Sequence, residues 1–158
     1  MVNDPKSSSR PRGGIVPAGQ GLRLQAGERD AGPTRRTVKV GPHSGSRLIG
    51  MLESELLPGG GFPGHVHDDY EEVFYVLVGE IDYLIGDTWA TASTGSTVFI
   101  PAGRVHAFRN SSDKPARHLA IASPADAMTM IEELSRAAPK QRDSILGRYR
   151  SRLADQDR

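Results

Sequence analysis

The 158-residue chain reads as an all-β domain, and three observations carry that reading. Short runs rich in Val, Ile, Thr and aromatic residues recur at intervals of roughly 8–12 residues, the spacing of strands in a sandwich or barrel. Gly and Pro punctuate the gaps, as at Pro58-Gly59-Gly60-Gly61, Gly86-Asp87 and Pro101-Ala102-Gly103. Several runs alternate apolar and polar with period two, the pattern of a strand with one buried face. Together they predict a β-sandwich or barrel over residues 34–123, preceded by a Ser-, Gly-, Pro- and Arg-rich arm and followed by helix.

Residues 1–33 hold neither period for long, so a flexible arm is expected, with Gly14-Ile15-Val16-Pro17 as a candidate edge strand. Residues 34–40 form the first strand, and Gly41-Pro42-His43-Ser44-Gly45 turns the chain, with His43 as polar surface. Residues 47–57 then alternate. Leu48, Gly50, Leu52, Ser54 and Leu56 share one face; Ile49, Met51, Glu53 and Glu55 share the other. After the Pro58–Gly61 turn comes a strand carrying His65 and His67. Val73-Phe74-Tyr75-Val76-Leu77-Val78 is apolar, β-branched or aromatic almost throughout, as a buried strand should be. Residues 80–85 place Ile81, the phenol Tyr83 and Ile85 on one face, and residues 89–92, 97–100, 107–110 and 117–122 complete the strands. The period then changes. Ala127, Met130, Ile131 and Leu134 recur at helical spacing behind Pro124; Pro139 breaks that helix. Residues 144–153 can form another, with Ile145, Leu146 and Tyr149 as its stripe. These helices are expected to pack outside the barrel or cap its edge. The organisation is therefore an arm (1–33), a barrel (34–123) and a helical extension (124–158).

Bulk properties exclude several classes. Twenty Lys and Arg stand against 19 Asp and Glu, so charge supplies no case for a nucleic-acid or membrane partner. With no Cys there are no disulfides, thiolate ligands or cysteine nucleophiles. No apolar run approaches a membrane span. The N-terminus lacks the apolar core of a secretory signal, so a cytoplasmic location is expected.

Three of the five histidines fall between residues 59 and 110. His65 and His67 are two apart on a strand and so project from the same face, roughly 6–7 Å apart along the backbone. Imidazoles at that separation can converge on one divalent ion at about 2.0–2.2 Å per bond. Glu72 adds an oxygen from the mouth of the next strand, and His106 follows the Pro101-Ala102-Gly103 turn. The predicted site is three imidazoles and one carboxylate around one ion. Mixed nitrogen and oxygen ligands suit Fe(II), Mn(II), Ni(II), Zn(II) or Cu(II).

The same residues resemble the two motifs of the cupin superfamily. Gly59, His65, His67, Glu72 and Gly79 match the first, and Gly95, Pro101, Gly103, His106 and Asn110 the second. Glu71 also lies within reach of the spacing, but only Glu72 leaves six residues before Gly79, so Glu71 is assigned to the outside of the barrel. The resemblance implies a small single-domain member with a double-stranded β-helix, or jelly-roll, barrel. It implies the metal ligands His65, His67, Glu72 and His106, and a homodimer. It does not specify the reaction.

Four ligands leave open positions on an octahedral ion, which a bidentate enolate, catecholate, α-hydroxy ketone or 2-oxo acid can fill. Strand alternation places Phe74 and Val76 inward with Glu72, and Phe108 and Asn110 with His106; Ile81 and Tyr83 complete the expected wall. The predicted pocket is apolar with few polar handles. Tyr83 is the candidate accessory acid or base, its pKa lowered by the nearby cation, and Arg104 and Arg109 are read as surface charge. The expected function is a metal-dependent dioxygenase or oxygenase, with Fe(II) favoured, acting on a small hydrophobic enol-, phenol- or diketone-like molecule. The alternatives are a non-redox isomerase or polyketide-cyclase type of enzyme, and a non-catalytic binding barrel.

Overall fold

The alternating runs pair into two antiparallel sheets in the computed structural model of the chain, which describes residues 13–24 and 33–154. In chain order the strands are β1 (Leu22–Leu24), β2 (Thr34–Val40), β3 (Gly50–Leu56), β4 (Gly61–His67), β5 (Glu71–Val78) and β6 (Glu80–Ile85). They continue with β7 (Thr88–Ser93), β8 (Thr97–Ile100), β9 (His106–Arg109) and β10 (Ala116–Ser123). Helices α1 (Ala127–Arg136) and α2 (Arg142–Arg148) follow, and β11 (Ser151–Leu153) ends the described chain. One sheet runs β1-β2-β3-β10-β5-β8 and the other β11-β4-β9-β6-β7. This is the all-β jelly-roll barrel with C-terminal helices that the sequence predicts.

Period-two burial explains why the sheets close on each other. Gly50, Leu52, Ser54 and Leu56 of β3 are buried, while Met51, Glu53 and Glu55 are half-buried. Glu72, Phe74 and Val76 of β5 face inward, as do Ala116, His118, Ala120 and Ala122 of β10. Large side chains such as Phe74, Val76, Ile81 and Ile100 lose nearly all contact with water, each contributing about 1.5–3 kcal/mol. On β10 the inward series is alanine except for His118, and those small residues leave an interior space beside the packed core. Where α1 lies against β3, Gly50 permits the approach: a Cβ there would collide with the Met128 side chain.

Several elements differ from expectation. Gly14–Pro17 is exposed and forms no strand; the edge pairing is made by β1, within the segment read as an arm, through Leu22↔Val38 to Leu24↔Arg36. The rest of that arm, residues 1–12 and 25–32, lies outside the described residues, as do 155–158. The helix expected over 144–153 stops at Arg148. Arg150 takes a left-handed conformation, φ 48°, and β11 then pairs with β4 through Ser151↔His67, Arg152↔Val66 and Leu153↔His65. The cause is tertiary: β4 would otherwise be a sheet edge with unpaired backbone groups, a demand no local periodicity records. Among the described residues no helix is long and apolar enough to cross a membrane.

Candidate metal centre and its chamber

β4 delivers His65 and His67, β5 carries Glu72 as its second residue, and β9 begins with His106, which lies opposite His65 in the ladder. The turn before His106 is held by Gly103, whose φ of 75° favours glycine. Its N–H donates to the His67 carbonyl at 2.7 Å, which ties the loop carrying one histidine to the strand carrying the other two. All four side chains are buried, and a ligand atom from each lies within 4.8 Å of the others. The His65 and His106 rings are 4.0 Å apart between centroids, and His67 lies 4.9 and 5.4 Å from them. The structure thus brings together His65, His67, Glu72 and His106.

The hydrogen bonds behind the rings fix which nitrogen faces the centre. His65 Nδ1–H donates to the Pro63 carbonyl at 2.8 Å, and His106 Nδ1–H to the Arg104 carbonyl at 2.9 Å. His67 Nδ1 lies 2.7 Å from Ser151 Oγ, whose own hydrogen goes to the Tyr149 carbonyl; His67 is therefore the donor there as well. With each Nδ1 hydrogen engaged behind its ring, the three Nε2 atoms are left to face one point. Glu72 Oε2 meets them there, 2.8 Å from His106 Nε2 and 3.8 Å from His67 Nε2. Four ligand atoms converging on one place suit a cation between them, and the backing hydrogen bonds are the arrangement that orients histidine for metal. The donor set fits one divalent ion.

Electrostatics favour neutral His65 and His67 and an ionised Glu72. Burial, together with the neighbouring His106 and His67, holds the His65 pKa well below its usual value. Burial does the same for His67, against the opposing pull of Glu72. For Glu72, burial works upward, but the close contact with His106 and the proximity of His67 outweigh it and hold the carboxyl below the usual range.

Beside this cluster is a chamber of about 70 Å³. Phe74 and Phe108 of the expected wall line it. Val76, Ile81 and Tyr83 do not; they sit in the packed core at 0 %, 0 % and 2 % exposure. Tyr83, read from sequence as the candidate acid or base, is turned toward His118. Burial raises its pKa, and its hydroxyl contacts His118 Nδ1 at 2.7 Å. Asn110 braces a turn: its amide donates to the Leu56 and Lys114 carbonyls, and its oxygen accepts from Ser112.

Two further expectations change. The helices do not simply cap the barrel, because Met130, Ile131 and Leu134 of α1 and Leu146 of α2 form one side of the chamber. Nor is the wall short of polar groups: Arg36, Ser54, His118 and Arg142 all line it. The signal for His118 was present in the alternation of residues 117–122, where one inward position among alanines carries an imidazole. Ser151 gave no such signal, because its role depends on where β11 docks.

Comparison with known proteins follows the same lines. Residues 52–122 match the family model described as the cupin domain. No curated protein matches the chain. Among solved structures, a predicted oxalate decarboxylase from Thermotoga maritima is 18 % identical with a TM-score of 0.61, over 70 % of this chain and 98 % of that one. A putative sugar phosphate isomerase from Acidithiobacillus ferrooxidans is 25 % identical with a TM-score of 0.51, over 58 % and 61 % respectively. TT1209 from Thermus thermophilus is 35 % identical with a TM-score of 0.49, over 50 % and 75 %.

Proposed function

The chain belongs to the cupin superfamily, and we propose that it is a metal-dependent enzyme, an oxygenase acting on a small enol-type or 2-oxo substrate. The observation that carries the reading is the convergence of three Nε2 lone pairs and the Glu72 carboxylate, with every Nδ1 engaged behind them. A divalent ion held by His65, His67, Glu72 and His106 would supply Lewis acidity and, as Fe(II), one-electron exchange with O₂.

The chain's own part is positioning and exclusion. Pro63, Ser151 and Arg104 hold the three rings in one tautomer, so no reorganisation is needed when substrate arrives. Leu52, Phe74 and Phe108 exclude water beside the cluster. Oxygenation is favoured over isomerisation by the lack of a free base on the chamber wall among the described residues. Glu72 belongs to the cluster, Tyr83 is sealed in the core, and His118 has its Nδ1 occupied. A substrate that enters as the enolate needs no such base, whereas a proton-moving isomerase does. The non-redox reading keeps one support, the likeness to a putative sugar phosphate isomerase.

Elemental analysis of protein purified without chelator, beside a His67→Ala variant, tests the proposal. Near-stoichiometric iron that the variant loses, with O₂ uptake on 1,3-diketones, catechols or 2-oxo acids, is the expected result. Stoichiometric zinc, nickel or manganese without O₂ uptake moves the assignment to isomerase or cyclase chemistry. No metal after reconstitution would overturn the reading and leave a binding barrel.

A further inference from the structure

The chamber has a second polar end, and it is the chemical opposite of the first. Strand register sets Arg36 opposite Ser54 and Ser54 opposite His118, a row across β2, β3 and β10. His118 in turn is opposite Val76 of β5, four residues along from Glu72, so the row lies roughly 13 Å from the Glu72 level along the strand. Phe74 stands between, its ring 6.5 Å from His106 and 5.2 Å from His118. Arg142, the first residue of α2, reaches the same chamber from the helical side.

Three atoms of the chamber lining are buried without a hydrogen-bond partner among the described residues: Ser54 Oγ and His118 Nε2 of this row, and Arg142 Nε on the helical side. Their residues are 1 %, 0 % and 6 % exposed, and all three line the chamber. Each is a donor. The Tyr83 phenol, kept protonated by burial, has His118 Nδ1 as its hydrogen-bond partner among the described residues; it donates there, and the imidazole hydrogen must sit on Nε2. Arg142 gives one Nη2 bond to the Leu134 carbonyl at 3.2 Å, and no carboxylate pairs with it among the described residues. A buried guanidinium without a counter-charge is strongly disfavoured. What the structure leaves open here is an acceptor carrying negative charge.

We propose that the chamber takes a small carboxylate, its carboxyl group held by Arg142, His118 and Ser54 while its other end reaches the metal cluster. This deepens the metal-enzyme reading and rests on it for treating the chamber as a substrate site. A carboxylate presents planar paired oxygens to a guanidinium fork, and its single charge suits one buried arginine with two neutral donors; Arg36, half-buried beside them, adds positive potential. A space of about 70 Å³ holds on the order of five waters, or roughly four to eight heavy atoms. The apolar band formed by Leu52, Phe74 and Phe108 matches a short carbon chain between the two ends.

The test is calorimetric titration of the full chain with malonate and its neutral isostere malonamide. It uses protein loaded with Zn(II) and protein stripped of metal, in wild type, Arg142→Gln and Arg142→Lys. Expected are malonate binding at least tenfold tighter than malonamide, a loss of tenfold or more in Arg142→Gln with unchanged zinc stoichiometry, and partial recovery in Arg142→Lys. If Arg142→Gln does not fold, the Ser54→Ala and His118→Gln variants are expected to show the same loss. Equal malonate affinity in wild type and these variants, equal affinity for malonamide, or tighter binding of inorganic phosphate than of malonate would overturn the proposal. Arginine-dependent malonate binding by a wild type that takes up no metal would instead sink the metal reading and leave the carboxylate end supported.

Discussion

The two ends of one chamber teach more side by side than either does alone. At the first, His65, His67, His106 and Glu72 present only acceptors, because their Nδ1 hydrogens are spent on Pro63, Ser151 and Arg104. At the second, Ser54, His118 and Arg142 present donors that no group among the described residues accepts. The same residue type serves opposite ends, and its neighbour decides which. Histidine backed by a carbonyl or an already committed hydroxyl turns a lone pair inward, whereas histidine backed by the Tyr83 hydroxyl turns a hydrogen inward. Buried imidazole is thus a polarity that the second layer of hydrogen bonds selects.

That contrast can be broken from either side. The largest effect is expected from acid. Burial lowers the His118 pKa to about 3 from an ordinary 6.5, so below pH 6.5 the unfolded chain binds a proton that the folded chain refuses. Stability is therefore complete above 6.5 and is lost as pH falls toward 3, by up to about 1.4 kcal/mol per pH unit for such a group. His65, His67 and Glu72 act in the same direction. Denaturant melts of metal-stripped protein across that window measure the total, and a shallower slope in His118→Gln isolates its share. An unchanged slope would mean that His118 is solvated and not a donor.

Next comes the carboxylate. Glu72→Gln keeps the shape but removes the charge from the acceptor cluster, and metal affinity should fall by at least about a hundredfold in a competition assay with a chromophoric chelator. Ser151→Ala sharpens the comparison, since it touches no ion but frees the His67 tautomer; about a tenfold loss is expected. If Ser151→Ala binds metal like wild type, the backing bonds do not set the polarity. The smallest effect is assigned to Tyr83→Phe. Losing one buried hydrogen bond should destabilise the fold by about 1 kcal/mol. It should also weaken malonate binding by releasing the His118 tautomer, while metal stoichiometry stays constant.

Legibility in the sequence divides along the same line. The acceptor cluster could be read from residues 59–110 because its geometry is local: His65 and His67 share a face by strand alternation, Glu72 stands at the mouth of the next apolar strand, and His106 follows the Pro101-Ala102-Gly103 turn. The inward faces of β3 and β5 were equally readable from period two, down to Leu52, Ser54 and Phe74. The donor end was not. Ser54 appeared only as one polar residue on an apolar face, His118 went unremarked, and Arg142 sat between two expected helices. Tyr83 was read as catalytic because a phenol on an inward face cannot be told, in sequence, from one that faces the chamber.

What the sequence determined by itself is the barrel and the identity of the four acceptors, since both rest on spacings of two to a few residues and on the alternation of a pleated strand. The tertiary structure alone decided the rest. It set Ser54 opposite His118 by cross-strand register, brought Arg142 to the wall of the same chamber by helix docking, and laid β11 against β4, where Ser151 orients His67. It also determined which buried polar atoms have partners and which do not, a property of the whole fold that no segment carries.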